Sequence, residues 1–108
     1  MTILDTEIGL QSTMGNQQLL DRLLIKFRDN HSSFIDNFKL SLQQNDLETA
    51  TRSAHSLKSN AGQLGAMSVF EAAKALESSC RQGRTELSTE LNALETELNA
   101  VLEQLEAL

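Results

Sequence analysis

The chain of 108 residues has no proline, tryptophan or tyrosine, only five glycines and a single cysteine. Without proline, no segment carries the residue that most strongly interrupts a helix. Cys80 has no second cysteine to pair with, which excludes an internal disulfide and favours a cytoplasmic location. No hydrophobic run approaches the roughly 20 residues that cross a bilayer, and the first residues lack the basic and apolar regions of a signal peptide. The sequence therefore predicts no membrane segment.

Basic residues are absent from residues 85–108, which hold six glutamates. Residues 1–84 hold nine basic and nine acidic side chains, so the net charge of −6 comes from this last segment. An acidic chain with an acidic end is not expected to bind nucleic acid or an anionic membrane. We interpret the glutamates as the solvated face of a helix.

Apolar residues, 40% of the chain, recur at steps of three and four, the spacing of amphipathic helices. The pattern predicts helices over about 5–13, 17–44, 47–64 and 68–83, and a last helix that begins near Thr85. The connections are short, so neighbouring helices should be antiparallel. We expect an all-α fold, an antiparallel four-helix bundle with a short extra N-terminal helix, forming one domain over residues 1–108.

Polar residues and glycine mark the expected helix ends. Asn16 and Asp46 are placed to cap the second and third helices. Gly65 provides a stop for the third helix. Ser68 and Glu71 have the spacing of a capping box at the start of the fourth.

The last predicted helix carries leucine or valine at alternating steps of four and three from Leu87 to Leu108. This spacing can pair helices between chains in a coiled coil, which would make the segment an oligomerisation element. The same spacing also closes a four-helix bundle within one chain. We expect the bundle and a monomer, because Leu102 widens the stripe beyond a strict coiled-coil seam.

The predicted third helix presents a histidine away from its apolar side. At 100° per residue, His55 lies roughly 135° from the centre of the apolar arc. The arc comprises Leu47, Ala50, Ala54, Leu57, Ala61 and Leu64. A free imidazole has a pKa of about 6.5, so much of it is neutral at cellular pH and can act as a nucleophile.

Charged and polar neighbours surround this histidine along the helix. Lys58 at i+3 and Arg52 at i−3 can reach a negative charge placed on the imidazole. Gln63 at i+8 could donate a hydrogen bond from its amide. From helical spacing alone, an ordinary exposed histidine is the favoured interpretation, because surface helices often carry His, Lys and Ser by chance.

Small residues lie on the same side of the helix as His55. The small side chains of Ser59 and Gly62 leave space around the histidine on this face. A glycine inside a helix costs roughly 1 kcal/mol of stability relative to alanine. Close approach of a partner would explain that cost. Two hypotheses are compatible with this face: a phosphoryl carrier, or a binding module in which His55 has no chemical role.

The segment from Arg52 to Ala66 resembles the motif of histidine-containing phosphotransfer (HPt) domains. That motif is Ala-His-x-Leu-Lys-Gly followed by Gly-Ala, and the chain has Ala-His-Ser-Leu-Lys-Ser at 54–59 and Gly-Ala at 65–66. The segments 9–27 and 72–77 are also similar to the family, so the resemblance covers nearly the whole chain. Ser59 departs from the usual glycine but is still small.

The resemblance implies that His55 accepts a phosphoryl group from an aspartyl phosphate and passes it to another aspartate. The donor would be the receiver domain of a hybrid sensor kinase, and the acceptor the receiver of a response regulator. The receiver would supply Mg²⁺, so the chain itself would need no cofactor. The sequence has neither glycine-rich nucleotide motif, so we do not expect a kinase.

The remaining candidates for chemistry are few. We interpret His31 as a solvated surface histidine and Cys80 as a small core or boundary residue. The two histidines do not have the spacing of metal ligands, so no metal site is predicted. No Ser-His-Asp or Cys-His arrangement can be argued from so few residues.

Overall fold

Six helices make up the part of the chain that this computed structural model describes, residues 4–84 and 86–107. No β-strand occurs within these ranges, so the all-α prediction is confirmed. The helices are α1 (Thr6–Ser12), α2 (Gln17–His31), α3 (Phe34–Gln43), α4 (Leu47–Leu64), α5 (Met67–Arg81) and α6 (Ser88–Leu105).

The predicted bundle is confirmed, with α2 and α3 together forming one arm and α4, α5 and α6 forming the other three. The short helix α1 packs against the end of α4. The backbone N–H of Asp5 donates to the carbonyl oxygen of Gly65 over 2.9 Å. The Ser12 hydroxyl donates to the carbonyl oxygen of Gln63 over 2.7 Å.

Leucine, phenylalanine and alanine fill the core between the arms. The apolar stripe of α6 faces this core, so its spacing serves the bundle, as expected. Its buried members are Leu91, Leu94, Leu98, Val101 and Leu105. The predicted start of this helix at Thr85 and the end of its stripe at Leu108 lie outside the described residues.

Three of the predicted helix ends are confirmed. The side chains of Asn16 and Asp46 accept the N–H groups of Leu19 and Thr49, each over 3.0 Å. Gly65 ends α4 with φ of 84°, a left-handed conformation that a residue with a Cβ rarely adopts.

The predicted capping box at the start of α5 is wrong. The helix begins at Met67, after Ala66 as the N-cap, which places Ser68 inside the first turn. The Ala66 N–H donates to the carbonyl of Ala61 over 2.9 Å. This bond continues the turn that Gly65 begins, so α5 starts before Ser68.

The expected single helix over 17–44 is interrupted at Ser32 and Ser33. Ser33 has φ of −105° and ψ of 14°, outside helical values, and α3 restarts at Phe34. Serine hydroxyls compete with helical backbone bonds, so a serine pair is a weak point in a helix. The apolar spacing continues across the break, and for this reason periodicity did not reveal it.

His31, the last residue of α2, is buried with 8% exposure, which corrects the expectation of a solvated histidine. Its ring lies 4.7 Å from the ring of Phe27, centroid to centroid. Its Nε2 lies 3.0 Å from the amide nitrogen of Asn60 on α4. Burial lowers the pKa of His31. The ring therefore belongs to the contact between α2 and α4.

Candidate functional site

His55 lies near the middle of α4, on the side away from the core. The apolar arc predicted for this helix is buried from Ala50 to Leu64, with Leu47 partly buried, and this fixes which way the helix faces. The side chain of His55 is 52% exposed. An imidazole in this position is accessible to another molecule.

One imidazole nitrogen of His55 is held by a carboxylate from the neighbouring helix. The Nδ1 atom lies 2.9 Å from Oε2 of Glu77 on α5. The Glu77 side chain is only 6% exposed. It reaches His55 because α4 and α5 pack closely along their length.

Two cations share this buried carboxylate with His55. The Lys58 Nζ atom lies 2.7 Å from Oε1 of Glu77. Arg81, one turn further along α5, donates to Oε2 from Nε over 2.9 Å and from Nη2 over 2.6 Å. A buried carboxylate is costly unless it is paired and hydrogen-bonded, and Glu77 has partners on both oxygens.

The pKa of Glu77 is lowered from 4.5 to about 2. Burial alone raises this pKa, but hydrogen bonds from Lys58, Arg81 and His55 outweigh it, with a further contribution from the charge of Lys58. The carboxylate is therefore ionised at cellular pH.

An ionised carboxylate only accepts hydrogen bonds, which fixes the tautomer of a neutral His55. Nδ1 carries the proton and donates it to Glu77. The lone pair then lies on Nε2, the nitrogen that Glu77 does not engage. The site thus presents a nucleophilic nitrogen on an exposed ring, with two cations within reach of the same carboxylate.

The other predicted site residues on α4 lie on different sides of His55. Arg52 and Ser59 are exposed on α4, one turn before and one turn after the histidine. Arg52 lies on the side that faces α2 and α3, whereas Lys58 lies on the side that faces α5.

Gly62 and Gln63 differ from expectation. A Cβ on Gly62 would lie 2.9 Å from Cδ1 of Phe70 in α5, so the glycine admits a ring of the same chain. This corrects the idea that its space is kept clear for a partner. Gln63 is eight residues beyond His55, about 12 Å along the axis, and borders a groove between α4 and α2.

Sequence reasoning missed Glu77 and Arg81. Glu77 stands at i+4 from Ala73, beside the apolar stripe of α5, and forms an i,i+4 pair with Arg81. A charged residue at the edge of a buried stripe, followed by an opposite charge one turn later, is a signal that the sequence does contain. Their contact with His55 depends on how α5 lies against α4.

Two further properties of the described residues bear on function. None of the helices is both long and apolar enough to cross a membrane. No group of three or more His, Cys, Asp or Glu side chains that could hold a metal ion occurs in residues 4–84 and 86–107.

The described residues form a helical bundle with an exposed histidine, a buried carboxylate that holds its ring and two cations on that carboxylate. The family model described as Hpt domain matches residues 22–108, and the chain belongs to this family. Hpt domains are phosphocarriers without a kinase or nucleotide site of their own. They act with receiver domains of hybrid kinases and response regulators. The chain is therefore a phosphotransfer protein of two-component phosphorelays rather than an enzyme.

Two solved structures have the same fold. The HPT domain from a sensor hybrid histidine kinase of Shewanella superposes with a TM-score of 0.85 at 20% identity, covering 97% of this chain and 92% of that one. Histidine-containing phosphotransfer protein B of Pseudomonas aeruginosa PAO1 gives 0.84 at 22% identity, with coverage of 97% and 92%. No significant match was found among curated protein sequences.

Proposed function

We propose that His55 is the phosphoacceptor of this Hpt domain and that its Nε2 atom forms the bond to phosphorus. The observation that carries the proposal is the 2.9 Å contact between Nδ1 and the Glu77 carboxylate. It leaves Nε2 with the lone pair on a ring that is half exposed.

The proposed transfer needs no general base from this chain. The Nε2 lone pair attacks phosphorus, the bond between phosphorus and the aspartyl oxygen of the donor breaks, and its electron pair returns to that carboxylate. Nδ1 keeps its proton, so the ring gains positive charge as the bond forms. The Glu77 carboxylate stabilises that charge. In the return step, an aspartate oxygen of a second receiver attacks the same phosphorus, the bond between phosphorus and Nε2 breaks, and its electron pair returns to Nε2, which restores the neutral ring.

Lys58 and Arg81 are placed to interact with the phosphoryl group. The Lys58 side chain is 24% exposed and one of its three N–H groups is engaged by Glu77. Arg81 is largely exposed and uses its Nε and one terminal nitrogen on the same carboxylate. We propose that their remaining donors bind phosphoryl oxygens, while Ser59 and Arg52 border the approach of the receiver.

The remaining expectations extend this proposal. We propose that the catalytic Mg²⁺ arrives with the receiver and that this chain needs no cofactor. A monomer is supported by the use of the α6 stripe inside the bundle. One domain over residues 1–108 is supported by the bonds from Asp5 and Ser12 to the end of α4. The single free cysteine favours the cytoplasm.

The proposal is tested by transfer from a receiver domain phosphorylated on its aspartate, in the presence of Mg²⁺. The wild-type chain should acquire acid-labile, base-stable phosphate, and His55→Gln should acquire none. Phosphorus–nitrogen coupling in a 15N-labelled sample should assign the bond to Nε2. Thermal unfolding of the variant provides the control for folding. Label that survives in a folded His55→Gln protein would contradict the assignment.

A further inference from the structure

A groove opens beside His55, where α2 ends and α3 begins. It has a volume of about 330 Å³ and runs between this junction and α4. Arg52 and Ser56 of α4 line it, at i−3 and i+1 from the phosphoacceptor. From α2 and α3 it is lined by Asn30, His31, Phe34 and Asn37. We call it the junction groove.

A hydrogen-bond donor of His31 is available to this groove. The amide nitrogen of Asn60 only donates, so the Nε2 atom 3.0 Å away accepts and carries no proton. The proton of the neutral ring is then on Nδ1. Nδ1 has no hydrogen-bond acceptor among the described residues. It is also not fully buried. His31 is 8% exposed and lines the junction groove, so Nδ1 meets solvent there.

Arg52 supplies the charge of the groove. No other lysine or arginine, and no aspartate or glutamate, is among its described lining residues. Arg52 has no ion pair within 4 Å in the described part of the chain; its charge contributes weakly to the lowered pKa of Asp46, after the hydrogen bonds from Thr49. The groove therefore combines one cation without a close counterion, one N–H donor on a largely buried ring and several neutral polar groups.

We propose that the junction groove takes a carboxylate side chain of the receiver domain that docks on His55. Arg52 binds the carboxylate as a charged donor and His31 Nδ1–H adds a neutral one. Side chains at i and i+3 on a helix lie about 5–6 Å apart at their Cβ atoms. A receiver can thus reach the groove and Nε2 of His55 together. The inference rests on the proposed function and names Arg52 and His31 as residues that select the partner.

The first test compares two charge reversals of the same kind. Arg52→Glu places a carboxylate at the groove, and Arg22→Glu makes the identical change at an exposed position of α2 that does not line it. In transfer from a phosphorylated receiver, Arg52→Glu should raise KM about tenfold or more relative to Arg22→Glu, with kcat within about twofold. Equal KM values for the two variants would overturn the proposal.

Chemical phosphorylation separates this inference from the proposed function. Phosphoramidate, a small phosphoryl donor that needs no docking surface, should label His55 equally in the wild type and in Arg22→Glu. A wild-type chain that neither phosphoramidate nor a receiver labels would overturn both proposals. Normal labelling with unaltered KM in Arg52→Glu would overturn the groove alone.

The second test observes His31 directly. A long-range 1H–15N spectrum of the free protein should show His31 protonated on Nδ1 and not on Nε2. Addition of a receiver that carries beryllofluoride on its aspartate should shift the Nδ1 resonance in Arg22→Glu and not in Arg52→Glu. A His31 signal that is unchanged in both variants at saturating receiver would contradict the role of this donor.

Discussion

Glu77 is the residue on which the chemistry of the site depends. Its two oxygens accept from His55, Lys58 and Arg81, so it fixes a ring and holds two cations at once. In the transfer that we propose, the same carboxylate that orients the neutral ring also faces the charge that develops on it. We propose that its role is positional and electrostatic, because both of its oxygens are engaged by His55, Lys58 and Arg81.

Replacing this carboxylate by an amide separates geometry from charge. Glu77→Gln keeps an oxygen that can accept from Nδ1 of His55 but removes the negative charge. We expect kcat for transfer from a receiver to fall on the order of tenfold to a hundredfold, because a preorganised partner of the developing charge is lost. Glu71→Gln, the same change at an exposed position of α5, is the matched control.

The readout for Glu77→Gln includes the tautomer of His55. A 1H–15N spectrum should still show the proton on Nδ1, so that a slower rate reflects charge rather than a turned ring. Rates equal to those of Glu71→Gln would show that the Glu77 charge does not contribute.

At the scale of the elements, the turn between α4 and α5 determines how Glu77 meets His55. Gly65 turns the chain with φ of 84°, and a Cβ there would lie 2.1 Å from the carbonyl oxygen of Asp5. Gly83 after α5 has a similar φ of 79°, but nothing lies within 4 Å of its Cβ position. The two glycines share one backbone conformation and differ in packing.

This pair predicts different costs for the same substitution. Gly83→Ala should lower the free energy of unfolding by about 1 kcal/mol, the cost of a left-handed alanine. Gly65→Ala should lower it by more than about 2 kcal/mol, because backbone must also move. Urea unfolding at neutral pH measures both. Similar decreases in the free energy of unfolding for the two variants would mean that the backbone at Asp5 can move away from the new Cβ at little cost.

The sequence predicted most of these elements because apolar spacing reports which helix face is buried. It could not reveal the break at Ser32 and Ser33, since the spacing that includes Phe27 and Phe34 continues through it. The burial of His31 was missed for a related reason, because its partner Asn60 is 29 residues away. The HPt motif identified His55 and Lys58, whereas the contact with Glu77 depends on the relative position of two helices.

For the whole molecule, the pKa shifts of two buried groups make stability depend on pH. The pKa of Glu77 is about 2 in the folded protein and 4.5 as a free group. A lowered acid pKa contributes stability above 4.5 that disappears as pH falls towards 2. Burial lowers the pKa of His31 below its ordinary 6.5, so unfolding takes up a proton there and stability falls below that pH.

We therefore expect the free energy of unfolding to fall in two stages on acidification. The first begins below pH 6.5 and belongs to His31. The second lies between pH 4.5 and 2, belongs mainly to Glu77, and amounts to on the order of 3 kcal/mol from its shift. Urea unfolding at intervals from pH 7.5 to 2.5 measures both stages.

Two variants test whether Glu77 causes the loss of stability in the second stage. Glu77→Gln should flatten the curve below pH 4.5, while Glu71→Gln should leave the slope unchanged. A Glu77→Gln protein that loses stability as steeply as the control would place the acid sensitivity elsewhere in the chain.

The hydrogen bond from Nδ1 to Glu77 has a consequence for the order in which partners bind at His55. A ring held on one side offers a single nitrogen and a single direction of approach. If transfer runs through Nε2 as we propose, the receiver that delivers the phosphoryl group and the receiver that removes it must occupy the same place in turn. On this proposal each has to leave before the other arrives, so the two partners would exclude one another, and an excess of either one would slow the transfer.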